Sequence, residues 1–243
     1  MKGQFLVGSQ KAFIEGNIYA DRSALVLDWI LRIGVDRTQF AMREVVRERG
    51  VSVGLVQKIF EALVMNGFLQ ATGVRTAKRF AIRKPELLLK NWLDHYSIIK
   101  KCKMRTYKTG FSNTQEVLKE LMNSDFKNKV ALSLHAAAEV YGTKNTNLQT
   151  LEFYLLDSGV RPQLEEFLQL EPQERGYEIL LIEPYYKSLL KYSLKDQSIE
   201  KMAVSPTLLT FLDLYHFPLR GIEQAEFMAE RLPELKRIYK KDQ

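Results

Sequence analysis

The side chains best suited to chemistry lie between residues 43 and 79, and what they offer is contact with a polyanion, not bond making. Arg43 and Arg47 stand four residues apart, the spacing that puts two side chains on one helical face. Ser52, Gly54, Gln57 and Lys58 follow in VSVGLVQKIFEALVMNGFL, which runs from Val51 to Leu69. At about 100° per residue, Leu55, Val56, Ile59, Phe60, Ala62, Leu63 and Val64 share one broad side. Gly54, Gln57, Lys58 and Glu61 oppose them. A glycine at 54 would let a backbone come close, Gln57 offers both a donor and an acceptor, and Lys58 can reach a guanine edge or a phosphate. Glu61 would repel a phosphate unless it met a cytosine amine, so it stands outside the predicted contact set.

The elements that must hold these groups are legible on either side. Ser52 suits a helix N-cap, and Asn66-Gly67 a helix stop. Upstream, TQFAMREVVRERG reads as a helix capped by Thr38 and stopped by Gly50. Only Gly50, Val51 and Ser52 then separate two helices, the short glycine-bearing link of a helix-turn-helix. A more apolar helix from Ser23 to Ile33 precedes the pair. GFLQATGVRTAKRFAI follows as two short strands turning near Gly73 to Thr76, with Arg75, Lys78 and Arg79 in the turn and second strand. Three helices and a basic hairpin are the order of a winged helix. In that arrangement the second helix of the pair enters the major groove, while Arg43, Arg47 and the hairpin cations hold phosphates.

Charge agrees. Residues 1–108 carry 20 Lys and Arg against 9 Asp and Glu, whereas residues 109–243 carry 16 against 20. A basic half joined to a mildly acidic one points to a polyanion as partner of the first. From Pro85, PELLLKNWLDHY reads as a connecting helix, and Lys100, Lys101, Lys103, Arg105 and Lys108 then crowd together. That run reads as a solvated hinge, or as further phosphate contacts through Lys100, Lys101 and Lys103. His95 and Cys102 have no evident partner, and no metal or cofactor is assigned. The single cysteine excludes an intramolecular disulfide and fits a cytoplasmic setting. No apolar run reaches the roughly 20 residues that span a bilayer, and MKGQFLVGSQKAFIEGN lacks the apolar core and cleavage site of a signal peptide.

The second half alternates strands and helices. NTQEVLKELMNS and RPQLEEFLQL read as helices, LQTLEFYLLD and YEILLIEPYY as buried strands, and VALSLHAAAEVYG as a strand turning into a small-residue helix. Ser205 and Pro206 are expected as cap and first residue of TLLTFLDLYHF, and IEQAEFMAERLPELKRIYK as a closing helix. Asp213 and Arg220 could pair across the corner between those two helices, or offer a partner contact. The motifs of serine hydrolases, P-loop enzymes, zinc peptidases and nucleotidyltransferases are absent, so no enzyme is read here. The strand-end acids Asp157 and Glu183 are the residues a degenerate nuclease centre would need. His135 beside an alanine run and His216 near a helix end read as structural.

The fold expected is therefore α+β, in three parts. They are an N-terminal winged helix-turn-helix domain (1–84), a basic connecting helix and linker (85–108), and a separate C-terminal α+β domain (109–243). REVVRERGVSVGLVQKIFEALVMNGFL with KPELLLKNWLDHY, then VALSLHAAAEVYG, YEILLIEPYY and AVSPTLLTFLDLYHFPLRGIEQAEFMAERL, resembles the AbiEi-type antitoxins of type IV toxin–antitoxin systems. The resemblance covers roughly Ser23 to Leu232. It implies a bacterial regulator whose winged helix binds double-stranded DNA at its own operator and represses its operon. It also implies a C-terminal domain that counteracts a nucleotidyltransferase toxin. A palindromic operator would argue for a homodimer on DNA. A regulator without a toxin gene, and a winged helix that docks a protein instead of DNA, fit the same residues.

Overall fold

The computed structural model describes residues 18–195 and 201–241, apart from the side chain of Thr76, and the leader reading of the first seventeen residues lies outside them. The protein is α+β, with twelve helices and two sheets among the described residues. The chain opens with α1 (Asp21–Arg32), α2 (Met42–Arg49) and α3 (Val53–Met65). A hairpin of β1 (Leu69–Thr72) and β2 (Arg79–Ile82) follows, then α4 (Pro85–His95), α5 (Ile98–Lys101) and β3 (Lys103–Lys108). Next come α6 (Thr114–Met122), β4 (Val130–Leu132), α7 (Leu134–Val140), β5 (Leu151–Leu155) and α8 (Arg161–Phe167). The remainder is β6 (Glu171–Pro172), β7 (Ile179–Glu183), α9 (Lys187–Ser193), β8 (Ala203–Val204), α10 (Thr207–Tyr215), α11 (Gly221–Arg231) and α12 (Pro233–Lys236).

Every residue of α1 from Ser23 to Leu31 is buried, as expected of a helix covered on all sides. It packs on α2 and α3 and also on α9. Its buried Asp28 takes a 2.7 Å ion pair from Arg49 at the end of α2. Helix α2 ends on Gly50 in the left-handed region, φ 62°. Ser52 caps α3 by accepting the Leu55 amide at 3.3 Å. The expected cap at Thr38 is corrected: α2 starts at Met42, because Phe40 is drawn into extended pairing with Phe80 through two 2.8 Å backbone bonds. Trp29, Phe40, Phe60 and Phe80 then meet edge to face at 5.1, 5.9 and 4.7 Å, tying α1, α3 and the hairpin into one core.

The larger sheet has the order β6-β3-β7-β5-β4-β8. Its central strands β5 and β7 run parallel, and β3 pairs antiparallel with both β7 and β6. Tyr154, Leu180 and Ile182 face one apolar cluster, while Phe153, Leu155, Ile179 and Leu181 face another beneath α6 and α8. The basic hinge is corrected here: Lys103–Lys108 is a sheet strand, with Lys103 opposite Glu183 and Tyr107 opposite Ile179. The first cluster runs without a break from Ile18 and the N-terminal helices to the sheet face, α10 and Ile238. Buried side chains thus draw no boundary at residue 84 or 108. Trp92 donates to the Tyr186 hydroxyl at 2.7 Å, and the Tyr192 hydroxyl donates to the Glu48 carbonyl at 2.6 Å, across the same junction.

Three expectations near the C-terminus are corrected. Pro206 is the N-cap of α10, not its first residue, and Ser205 does not cap it. Pro233 splits the closing helix into α11 and α12. Asp213 does not meet Arg220: it is fully buried and accepts the hydroxyls of Tyr96 at 2.6 Å and Tyr154 at 2.5 Å. Arg220 turns outward to Glu223 at 2.7 Å. The corner depends instead on Gly221, where a Cβ would lie 2.2 Å from the Leu214 carbonyl oxygen. Gly221→Ala is expected to destabilise the fold by about 3 kcal/mol through overpacking, as measured by urea denaturation against Ala225→Gly in the same helix. Among the described residues, no helix is long and apolar enough to cross a membrane.

Candidate nucleic-acid interface

Helix α3 buries Val56, Ile59, Phe60 and Leu63 and leaves Ser52, Val53, Gly54, Gln57, Lys58 and Glu61 exposed. Its N-terminal turn therefore stands free while its opposite face is anchored. Val53 is 54% exposed at the first helical position, an apolar side chain next to Gly54 that sequence reading passed over. Gln57 donates its amide to Glu61 at 2.9 Å, so the carboxylate set aside as repulsive is tied to a predicted contact. The i, i+4 spacing of the two was the available signal.

Arg43 and Arg47 are both exposed on α2. Arg47 lies 3.6 Å from Glu48, whose other oxygen takes the Trp29 indole at 2.6 Å. Half-buried Arg37 pairs with Glu44 and Glu48, so the acids of α2 are neutralised by a residue other than Arg43. In the hairpin loop, Gly73 has φ 76° and a Cβ there would sit 2.7 Å from the Ala77 carbonyl oxygen, which fixes a tight turn. Arg75, Lys78 and Arg79 project from it, exposed, and Lys78 lies 5.5 Å from the Phe80 ring centroid.

The structure packs α2 on α3 and α3 on the hairpin, and Arg43, Arg47, Ser52, Gly54, Gln57, Lys58, Arg75, Lys78 and Arg79 are each exposed on or beside those elements. It groups the connector lysines differently. Lys101 lies over the Tyr185 ring at 5.3 Å, and Lys103 stands 3.9 Å from Glu183. Both belong to the sheet side of the molecule, and Lys100 is exposed beside them on α5.

The remaining reactive groups have structural partners. His135 is buried, with Nε2 2.9 Å from the Leu219 carbonyl and its ring against Phe217. His216 bonds the Leu93 carbonyl at 2.8 Å, and His95 bonds the Asn91 carbonyl and stacks on Tyr19. Burial pushes the Cys102 thiol up to about 12, and its sulfur accepts the Tyr185 amide at 3.3 Å. Asp157 and Glu183 do share a cleft of about 480 Å³ at the ends of β5 and β7, lined also by Lys187, Lys191 and Lys195. There Asp157 accepts the Gly159 amide at 2.9 Å. Comparison of the chain with protein-family models, with curated proteins and with solved structures finds no match.

Proposed function

We propose that α1, α2, α3 and the hairpin act as a winged helix that binds double-stranded DNA. In this reading, the chain is a cytoplasmic bacterial regulator and not an enzyme. The observation that carries this is the exposed turn of α3, with Gly54, Gln57 and Lys58, flanked by exposed cations on α2 and the hairpin and anchored behind by four aromatic rings. Helix α3 enters the major groove, where Gln57 and Lys58 meet base edges and Val53 suits a thymine methyl. Arg43, Arg47, Arg75, Lys78 and Arg79 hold phosphates. The sequence resemblance to AbiEi-type antitoxins supports repression of its own operon, with the sheet-bearing half counteracting a nucleotidyltransferase toxin.

A gel-shift titration on the duplex upstream of the gene, against a scrambled duplex at two salt concentrations, tests the first half of this reading. Specific binding that weakens steeply with salt is expected. Lys58→Ala with Arg79→Ala should weaken it about tenfold or more and, because only Arg79 of the two holds a phosphate, lower the salt slope by about 1. Unchanged binding in that double variant would remove α3 and the hairpin from the interface. Absence of any shift would transfer the winged helix to a protein partner.

A further inference from the structure

We infer that the cleft between the N-terminal helices and the sheet-bearing half binds the oxyanion group, phosphate or carboxylate, of a small molecule. The cleft holds about 400 Å³ and is bounded by Arg32, Arg49, Tyr141, Tyr192, Ser193, Thr207 and their neighbours. That size suits a small ligand, and the buried groups at or beside it without a partner include Arg49 Nε, the Ser193 hydroxyl and Asp28 Oδ1. The Arg49 side chain is only 6% exposed and lies 4.5 Å over the Tyr192 ring, with one nitrogen on Asp28 at 2.7 Å. Its Nε, also buried, has no hydrogen-bond partner. Buried N–H groups of that kind are rarely left unpaired.

Two further features converge on the same space. Helix α10 starts there, with Pro206 and Thr207 on the wall and no side chain capping its first turn. The amides and dipole of a helix start favour an anion. Arg32, 36% exposed and 3.7 Å from Asp28, also lines the cleft. Two carboxylates oppose this set. Asp28 is shared by the two arginines, and Glu234 accepts the Thr207 hydroxyl at 2.7 Å. A cation would meet both guanidinium groups, whereas an oxyanion completes the Arg49 fork and the helix start together.

Arg49 is also the last residue of α2, immediately before the turn that launches α3. An anion held on Arg49 therefore sets that turn, and through it the DNA affinity; this coupling rests on the DNA-binding reading above. Calorimetric titration of the full chain with inorganic phosphate, and separately with acetate, at ionic strength held constant with chloride, tests the site without DNA. Saturable binding of at least one probe is expected, and which one binds separates a phosphate from a carboxylate ligand. Arg49 itself holds buried Asp28, so the variants are Arg32→Gln and Glu234→Gln. The first should weaken binding about tenfold. The second should strengthen it several-fold, which loss of structure cannot do, because the amide still accepts from Thr207 without repelling an anion. No saturable binding of either probe, or wild-type binding in both variants, overturns the site. Binding that leaves upstream-duplex affinity unchanged overturns the coupling, and a duplex that never binds overturns the DNA reading while the titration stands.

Discussion

Urea denaturation of Asp213→Leu at pH 4, where the folded chain keeps the Asp213 proton, is expected to show a loss of about 4 kcal/mol, from two buried hydroxyls left without an acceptor. The Tyr96 and Tyr154 hydroxyls both donate to this one fully buried carboxylate, at 2.6 and 2.5 Å. Removing only the acceptor leaves their desolvation uncompensated. Adding Tyr96→Phe and Tyr154→Phe to the leucine variant should recover most of the loss, since an apolar triad carries no unsatisfied group. A triple variant no more stable than the single one would show that side-chain packing, not the hydrogen bonds, gives Asp213 its weight.

The same residue predicts a pH dependence. Burial raises the Asp213 carboxyl to about 7, only partly offset by the two tyrosine hydroxyls. Between its ordinary value of about 4 and about 7, the folded chain holds a proton that the unfolded chain has released. Protonation thus stabilises the fold below about pH 4, and that stabilisation is lost as pH rises to about 7, changing little beyond. The span corresponds to roughly 4 kcal/mol. Asp213→Asn removes this titration, so the stability difference between wild type and variant should move by that amount across the window, with wild type relatively stronger at acid pH. A constant difference from pH 4 to pH 8 would place the Asp213 proton outside the folding equilibrium.

Arg49→Met is the second large expected effect, about 3–5 kcal/mol at neutral pH. It strips the 2.7 Å partner from Asp28, a fully buried carboxylate whose other guanidinium, Arg32, is 3.7 Å away. Burial already pushes the Asp28 carboxyl upward against both arginines. The double variant Asp28→Leu with Arg49→Met should recover to within about 1 kcal/mol of wild type. A loss below about 1 kcal/mol in the single variant would mean that Arg32 alone satisfies Asp28.

Local pattern made α3 legible: the apolar period that runs through Val56, Ile59, Phe60 and Leu63 is the face the structure buries, and Ser52 caps it as its position suggests. The strands at Leu151–Leu155 and Ile179–Glu183 were likewise readable as buried runs, though their parallel pairing was not. What escaped depends on distant partners. Phe40 is extended because it pairs with Phe80, and Asp213 is satisfied by tyrosines 117 and 59 residues away. Strand β3 did leave a local trace: Lys103 and Arg105 are exposed while Met104 and Thr106 are half-buried, a period of two obscured by counting charge instead of alternation. The exposed cations were identifiable one by one, but not their division between the α3 side and the sheet side, which only the position of β3 decides.

The unbroken apolar cluster also limits how the proposed DNA-binding unit could be reused. Trp92, Leu88 and Leu89 of α4, together with Leu189 and Leu190 of α9, belong to the same core as the aromatic rings behind α3. A segment excised at residue 84 and grafted onto a foreign protein would carry α1 stripped of α9, with Asp21 deprived of the Ser188 amide and hydroxyl it now accepts at 2.8 and 2.6 Å. The segment from α1 to the hairpin is not a detachable cassette. A graft would have to move α9 along with it, so a chimaera that keeps its core needs a discontinuous splice that joins residues 18–84 to Lys187–Ser193.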